Sequence, residues 1–184
     1  FYDNSRLIGL ALLSMGFKRG EVVSILSEDS KEWIYTDLAV QSVGGITSGV
    51  YPTDSARQLV YLVNDSDTQF LFLENDEQLD KYLSVSDQMP KLKKVIVYEK
   101  DGLIDFDDPR VMFLTDLYEV GKIELEKKSG IFEKEIEAGK SEDTSILIYT
   151  SGTTGEPKGV EITGNNIMFS RSAGGQRLPA FDND

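Results

Sequence analysis

An α/β fold, with a mostly parallel sheet and helices on both faces, is what this sequence predicts. Apolar runs of strand length at residues 21–27, 44–50, 69–73, 95–97 and 145–149 alternate with stretches whose apolar residues recur at helical spacing. That alternation argues for parallel strands joined by helical crossovers. The chain has 184 residues, enough to bury the core of one domain.

The elements follow in order. Ile8, Ala11, Leu12 and Met15 keep the i, i+3, i+4, i+7 spacing of one buried helix face, and Gly16 suits a left-handed cap. Residues 21–27 read as a buried strand. Asp29 or Ser30 can cap the next helix, with Glu32 placed for a capping box. That helix carries Trp33, Ile34, Leu38, Ala39 and Val40, with Trp33 expected in the core rather than stacked on a ligand. A second strand at 44–50 leads into the turn Tyr51-Pro52-Thr53-Asp54. Ser55 and Gln58 then fit a capping box over a helix whose apolar face is Ala56, Leu59, Val60 and Val63. Residues 69–73 predict a strand, Leu79, Tyr82 and Leu83 a helix, and 95–97 another strand. Residues 100–109 are acidic and irregular. Asp105, Asp107 and Asp108 lack the spacing and closing glutamate of a calcium loop. A short strand is expected at 111–114. Residues 117–139, charged with sparse apolar positions such as Ile131, Phe132 and Ile136, predict an exposed helix broken near Gly130. Residues 145–149 read as a buried strand. No internal repeat appears.

Composition narrows the chemistry. The chain has no cysteine, which excludes disulfides and thiol catalysis, and no histidine, the commonest general base and metal ligand. With 19 Lys and Arg against 32 Asp and Glu, the net charge is −13, a balance that repels nucleic acid and anionic lipid. Lys91, Lys93 and Lys94 form a short basic cluster that reads as a solvated face. There is no signal peptide and no apolar run long enough to span a bilayer, so a soluble, cytoplasmic protein is the expectation.

The stretch that carries chemistry is 149–159, Tyr-Thr-Ser-Gly-Thr-Thr-Gly-Glu-Pro-Lys-Gly. Gly152, Gly155 and Gly159 let the backbone curl and approach a ligand, and successive N–H groups in such a curl bind anions. Thr150, Ser151, Thr153 and Thr154 add hydroxyl donors, and Lys158 adds a mobile positive charge. These features suit a polyphosphate. The stretch is not a Walker A loop, because Pro157 precedes the lysine and Gly159 stands where the magnesium-binding hydroxyl would be.

At these residues the chain resembles the AMP-forming adenylating enzymes: acyl-CoA synthetases, luciferases and peptide-synthetase adenylation domains. Residues 149–159 match their phosphate loop throughout. The run Gly49-Val50-Tyr51-Pro52-Thr53 is similar to a turn of the long-chain fatty acid–CoA ligase branch, as are Glu32-Trp33, Gly44-Gly45 and Asp65-Ser66 in their order. The resemblance implies that residues 1–184 are an incomplete portion of the large N-terminal, AMP-binding domain. The remainder of that domain and the C-terminal domain would lie outside the chain.

The resemblance also implies a reaction. A fatty acid carboxylate attacks the α-phosphorus of ATP, and the thiol of coenzyme A then displaces AMP from the acyl-adenylate. Thr150, Ser151, Gly152, Thr153, Thr154, Gly155, Pro157, Lys158 and Gly159 would bind ATP. Lys158 would act catalytically on the charge of pyrophosphate, and Thr150 would be a ligand of Mg2+. The segments that contact adenine, ribose and most of the acyl chain are expected beyond Asp184, so the chain alone is expected to be inactive. No nucleic-acid partner is implied, and peripheral membrane contact by the parent enzyme stays open. So do two other functions: another adenylate-forming enzyme (an amino-acid adenylation domain or a luciferase-like protein), or a non-catalytic nucleotide-binding module. One departure stands out. Thr163 and Asn166 fit the family's Thr-His-x-Asn, but Gly164 occupies the histidine position, and Asn165 or Asn166 is expected to cap the helix that follows.

Overall fold

The computed structural model describes residues 1–103, 106–127, 130–150 and 155–177. Seven strands form one sheet: β1 (Val22–Leu26), β2 (Ile46–Val50), β3 (Thr68–Leu73), β4 (Lys94–Val97), β5 (Val111–Phe113), β6 (Thr144–Thr150) and β7 (Lys158–Thr163). Their order is β5-β4-β3-β1-β2-β6-β7. Every neighbouring pair is parallel except β6 and β7, which form an antiparallel hairpin at one edge. Seven α-helices accompany them among the described residues: α1 (Tyr2–Ser14), α2 (Lys31–Ser42), α3 (Ala56–Asp65), α4 (Asp76–Leu83), α5 (Leu114–Lys127), α6 (Ile131–Glu137) and α7 (Gly164–Arg177). The predicted α/β class, mostly parallel and covered on both faces, is the one observed. Among the described residues no helix is long and apolar enough to cross a membrane.

The central strands are buried on both faces, and their side chains alternate between two cores. Val23, Ile25, Phe70, Phe72 and Ile96 pack with residues of α1, α2, α5 and α6. Leu26, Leu71, Leu73, Val95 and Val97 pack with residues of α3 and α4. The period of two along each strand makes this division. The chain runs from β1 to β2 on one side of β1, then returns past β1 to β3 on the other. With right-handed crossovers, that reversal puts α2 and α3 on opposite faces.

Local signals set the helix ends. Gly16 has φ +83° and closes α1 in a Schellman motif, with Phe17 N–H donating to Leu12 O at 3.0 Å and Gly16 N–H to Leu13 O at 3.1 Å. Ser55 and Gln58 form the expected capping box on α3. At α2 the cap is Ser30, whose side chain accepts from Trp33 N–H at 3.1 Å. Glu32 is therefore one residue short of the box position and lies beside Lys31 instead. Trp33 packs against the first core, while Ile34 and Leu38 face solvent.

Three expectations need correction. Residues 145–149 are not a buried strand: β6 is half-exposed along its length, with Ile148 47% exposed, because it lies beside the sheet edge instead of inside it. Residues 117–139 are not an exposed helix. They belong to two helices, α5 and α6, of which Leu117 and Phe132 are fully buried. A narrow apolar stripe among charges suffices to dock α5 on α1. Strand β7 had no sequence signal, since Lys158, Gly159 and Glu161 interrupt any apolar pattern. The basic cluster is partnered: Lys93 bridges to Glu21 at 2.9 Å, Lys91 to Asp67, and Lys94 donates to Pro109 O at 2.6 Å. Asp105, weighed for a calcium loop, lies outside the described residues.

The contact between α1 and α5 depends on Gly121. A Cβ added there would lie 2.2 Å from the carbonyl oxygen of Leu7, a backbone atom that cannot swing away. Over-packing of this kind costs up to about 3 kcal/mol. Alanine recovers about 1 kcal/mol as the better helix former. Gly121→Ala should therefore destabilise the fold by about 2 kcal/mol in urea denaturation. An unchanged midpoint would show that the two helices separate at no cost.

Candidate functional site

The candidate site is built on the β6–β7 hairpin. Thr150 pairs with Lys158, Tyr149 with Gly159, Ile148 with Val160 and Leu147 with Glu161. The ladder thus brings together the two ends of the 151–157 connection, at Thr150 and Lys158. Directly paired residues share a face of the sheet. One face carries Thr150 and Lys158 with Ile148 and Val160 behind them, and all four are exposed. The opposite face carries Tyr149 and Leu147 against Gly159. A Cβ on Gly159 would lie 2.9 Å from Leu147 Cδ1 and 3.4 Å from Tyr149 Cζ, so the missing side chain gives Tyr149 its room.

Of the predicted phosphate-binding residues, Thr150, Gly155, Pro157, Lys158 and Gly159 are placed at this neck. Ser151, Gly152, Thr153 and Thr154 lie outside the described residues. Gly155 has φ +117°, a conformation that L side chains rarely adopt. Lys158 makes no hydrogen bond or ion pair among the described residues, so its ammonium is available to an anion. The nearby Glu156 is instead 3.4 Å from Arg57. Thr150 offers one exposed hydroxyl. Among the described residues no group of three or more acidic, histidine or cysteine side chains could hold a metal ion. A magnesium ion here would need phosphate oxygens for most of its coordination, as is usual for that ion.

Sequence reasoning missed the side chains that brace the hairpin. Tyr149 Oη–H donates to Asp65 Oδ2 at 2.7 Å, and Tyr61 Oη–H donates to Pro157 O at 2.8 Å. The rings of Tyr61 and Tyr149 meet edge to face, 6.5 Å between centroids and 78° apart. Burial, then the bond to the Asp65 carboxylate, pushes the Tyr149 phenol well above the ordinary tyrosine range. Below the hairpin a cavity of about 360 Å³ is lined by Gly49, Tyr51, Asp54, Gln58, Tyr61, Leu62, Tyr149 and Pro157. The turn Tyr51-Pro52-Thr53-Asp54 closes one side of it, with Asp54 N–H donating to Tyr51 O at 2.9 Å.

After the hairpin the cap of α7 is Thr163. Its hydroxyl accepts from Asn166 N–H at 3.3 Å, and Asn166 Oδ1 accepts in return from Thr163 N–H at 2.9 Å. Asn166 therefore completes the cap, and neither Asn165 nor Asn166 forms it alone. At Gly164 an added Cβ would lie 3.1 Å from Ser141 O. Any side chain there, histidine included, requires the Ser141 backbone to give way by a few tenths of an ångström.

The chain matches the AMP-binding enzyme family over residues 1–183. It is 33% identical over 178 residues to the long-chain-fatty-acid–CoA ligase ACSBG2 of Xenopus laevis, covering 97% of this chain and 23% of that protein. It is 31% identical over 176 residues to the long-chain-fatty-acid–CoA ligase ACSBG1 of Bos taurus, covering 96% and 24%. The chain thus spans about a quarter of the length of these curated relatives. Its fold superposes on the anthranilate CoA ligase AuaEII in complex with anthranoyl-AMP with a TM-score of 0.72 at 21% identity, covering 92% of this chain and 30% of that one. A luciferase-like enzyme of the nonluminescent mealworm Zophobas morio gives a TM-score of 0.68 at 19% identity, covering 88% and 35%.

The buried phenols make stability depend on alkaline pH. Burial pushes Tyr118 up to about 12 and raises Tyr149 as well. In the unfolded chain these phenols ionise near pH 10. Above that pH the unfolded state binds fewer protons than the folded one, so stability falls as pH rises. Urea midpoints should be level in this respect below about pH 9.5 and decline beyond about pH 10. Tyr149→Phe should shallow the decline. An identical slope in that variant would show that Tyr149 titrates as a solvated phenol.

Proposed function

The chain belongs to the AMP-binding enzyme family, and we propose on that footing that it carries the ATP phosphate-binding loop of a long-chain fatty acid–CoA ligase. The names of the relatives support the choice of acid. The observation that carries the function is Lys158, an exposed ammonium without a carboxylate partner among the described residues, held opposite Thr150 at the neck of a glycine- and hydroxyl-rich loop.

In the proposed reaction a carboxylate oxygen of the fatty acid attacks the α-phosphorus of ATP, and the bond from that phosphorus to pyrophosphate breaks. The sulfur of coenzyme A then attacks the acyl carbon. The bond to AMP breaks and the thiol proton is lost, leaving a thioester. The first step needs no protein nucleophile. It needs the leaving phosphates held in line and their growing charge met by fixed donors. Backbone N–H groups and hydroxyls of 150–155 would hold the β- and γ-phosphates, and Lys158 would neutralise charge developing on pyrophosphate. Thr150 would supply one oxygen to Mg2+, which lends positive charge to the phosphates when bound. The acyl-binding and second-step machinery would come from the part of the ligase that this chain does not span.

The test separates the two half-reactions in the full-length ligase. Loss of one charge-assisted contact is worth about 1.5–3 kcal/mol, or roughly ten- to a hundred-fold in rate. Lys158→Met should slow the overall reaction from ATP by that factor and spare thiolysis of supplied acyl-adenylate, because pyrophosphate has already left. Equal slowing of the overall reaction and of thiolysis would refute the role given to Lys158. A parallel fall in melting temperature would identify the cause as folding.

A further inference from the structure

The hairpin that carries the loop is not held by the sheet along its whole length. β2 runs to Val50 and pairs with β1 as far as Leu26. Its pairing with β6 covers only Thr47 with Ile146 and Ser48 with Leu147. From Ile148 outward the hairpin projects past its neighbour, and Thr150 and Lys158 sit on the projecting part. Its position relative to the sheet must come from elsewhere.

It comes from α3. Arg57, Tyr61 and Asp65 are four residues apart and form one stripe along that helix, about 12 Å long at 1.5 Å per residue. Each reaches a different point on the flanks of the loop. Asp65 takes the hydroxyl of Tyr149, just before Thr150, at 2.7 Å. Tyr61 donates to the carbonyl of Pro157, just before Lys158, at 2.8 Å. Arg57 faces Glu156 at 3.4 Å, an exposed pair that contributes least. The edge-to-face contact of Tyr61 with Tyr149 links the two grips. The helix itself is fixed, by its capping box and by the buried Leu59, Leu62 and Val63.

We infer that Tyr61 and Asp65 are positioning residues: a clamp on α3 that grips both flanks of the loop and sets where Thr150 and Lys158 stand. The inference rests on the reading of 149–159 as a phosphate-binding loop. The stripe touches the loop only outside its glycine- and hydroxyl-rich centre. It therefore aligns the loop without competing for the phosphates, and Lys158 inherits its position through the adjacent Pro157.

Two measurements on the 184-residue chain test this and keep the two ideas apart. The first is amide hydrogen exchange at residues 158–160. Tyr61→Phe, which keeps the ring, and Asp65→Ala should each speed exchange there by about ten-fold, the scale of one hydrogen bond. Exchange in β1 and β3 and the melting temperature should stay near wild type. Asp65→Asn still accepts from Tyr149 and should restore the wild-type rate. The second is titration with magnesium pyrophosphate, whose affinity should fall by a similar factor in Tyr61→Phe and Asp65→Ala but not in Asp65→Asn. Unchanged exchange in both Tyr61→Phe and Asp65→Ala overturns the clamp, whatever pyrophosphate does. If exchange responds while the wild-type chain binds no pyrophosphate, the clamp stands and the phosphate assignment falls.

Discussion

Burial of β1 and β3 on both faces is the constraint on which the rest of the structure depends. Val23 and Ile25 point into one apolar layer, Leu26 into the other, and all three are fully buried. Phe70 and Phe72 alternate in the same way with Leu71 and Leu73. Each such side chain contributes about 1.5–3 kcal/mol by leaving water. No arrangement with a layer on one side only would capture both sets. Helices must therefore cover both faces, and right-handed crossovers decide which helix goes where. That is how α3 comes to share a face with α4 and to lie beside the β6–β7 hairpin.

The position of the loop departs from the common pattern of open α/β sheets, in which ligands settle in the crevice where the strand order reverses. Here the reversal is around β1, while the candidate site is on an edge hairpin two strands away. A loop that makes its own concavity from backbone N–H groups needs no crevice from the sheet. It does need a fixed stem. The hairpin ladder joins the two ends of the loop, and α3 ties the hairpin back to the body of the fold. The exposed Ile148 and Val160 beside Thr150 and Lys158 follow from the same projection, since nothing among the described residues covers that face.

Charge acts at short range in this molecule. A net charge of −13 opposes the approach of a polyphosphate. At physiological ionic strength, however, such repulsion is screened beyond about 8 Å. Inside that distance the local arrangement counts: Glu156 faces Arg57, Asp65 holds the hydroxyl of Tyr149, and Lys158 is left without a carboxylate partner among the described residues. One lysine can serve an anionic ligand on an acidic protein because the nearest carboxylates are engaged elsewhere.

The sequence by itself determined what is local. Helix ends at Gly16 and at Ser55 with Gln58, the fully buried run of β3, and the loop at 149–159 each lie within a few consecutive residues whose backbone preferences and hydrogen bonds are self-contained. Tertiary structure decided what depends on distant partners. Whether 145–149 is an inner or a near-edge strand depends on what pairs with it, and the chain does not write that into the strand. The burial of α5 depends on a close approach of Gly121 to Leu7, invisible among the charges around it. The brace on the loop joins Tyr149 to Asp65 across 84 residues and Pro157 to Tyr61 across 96. A hydroxyl has no pattern along the chain that announces its acceptor, because that bond exists only once folding has brought α3 beside the hairpin.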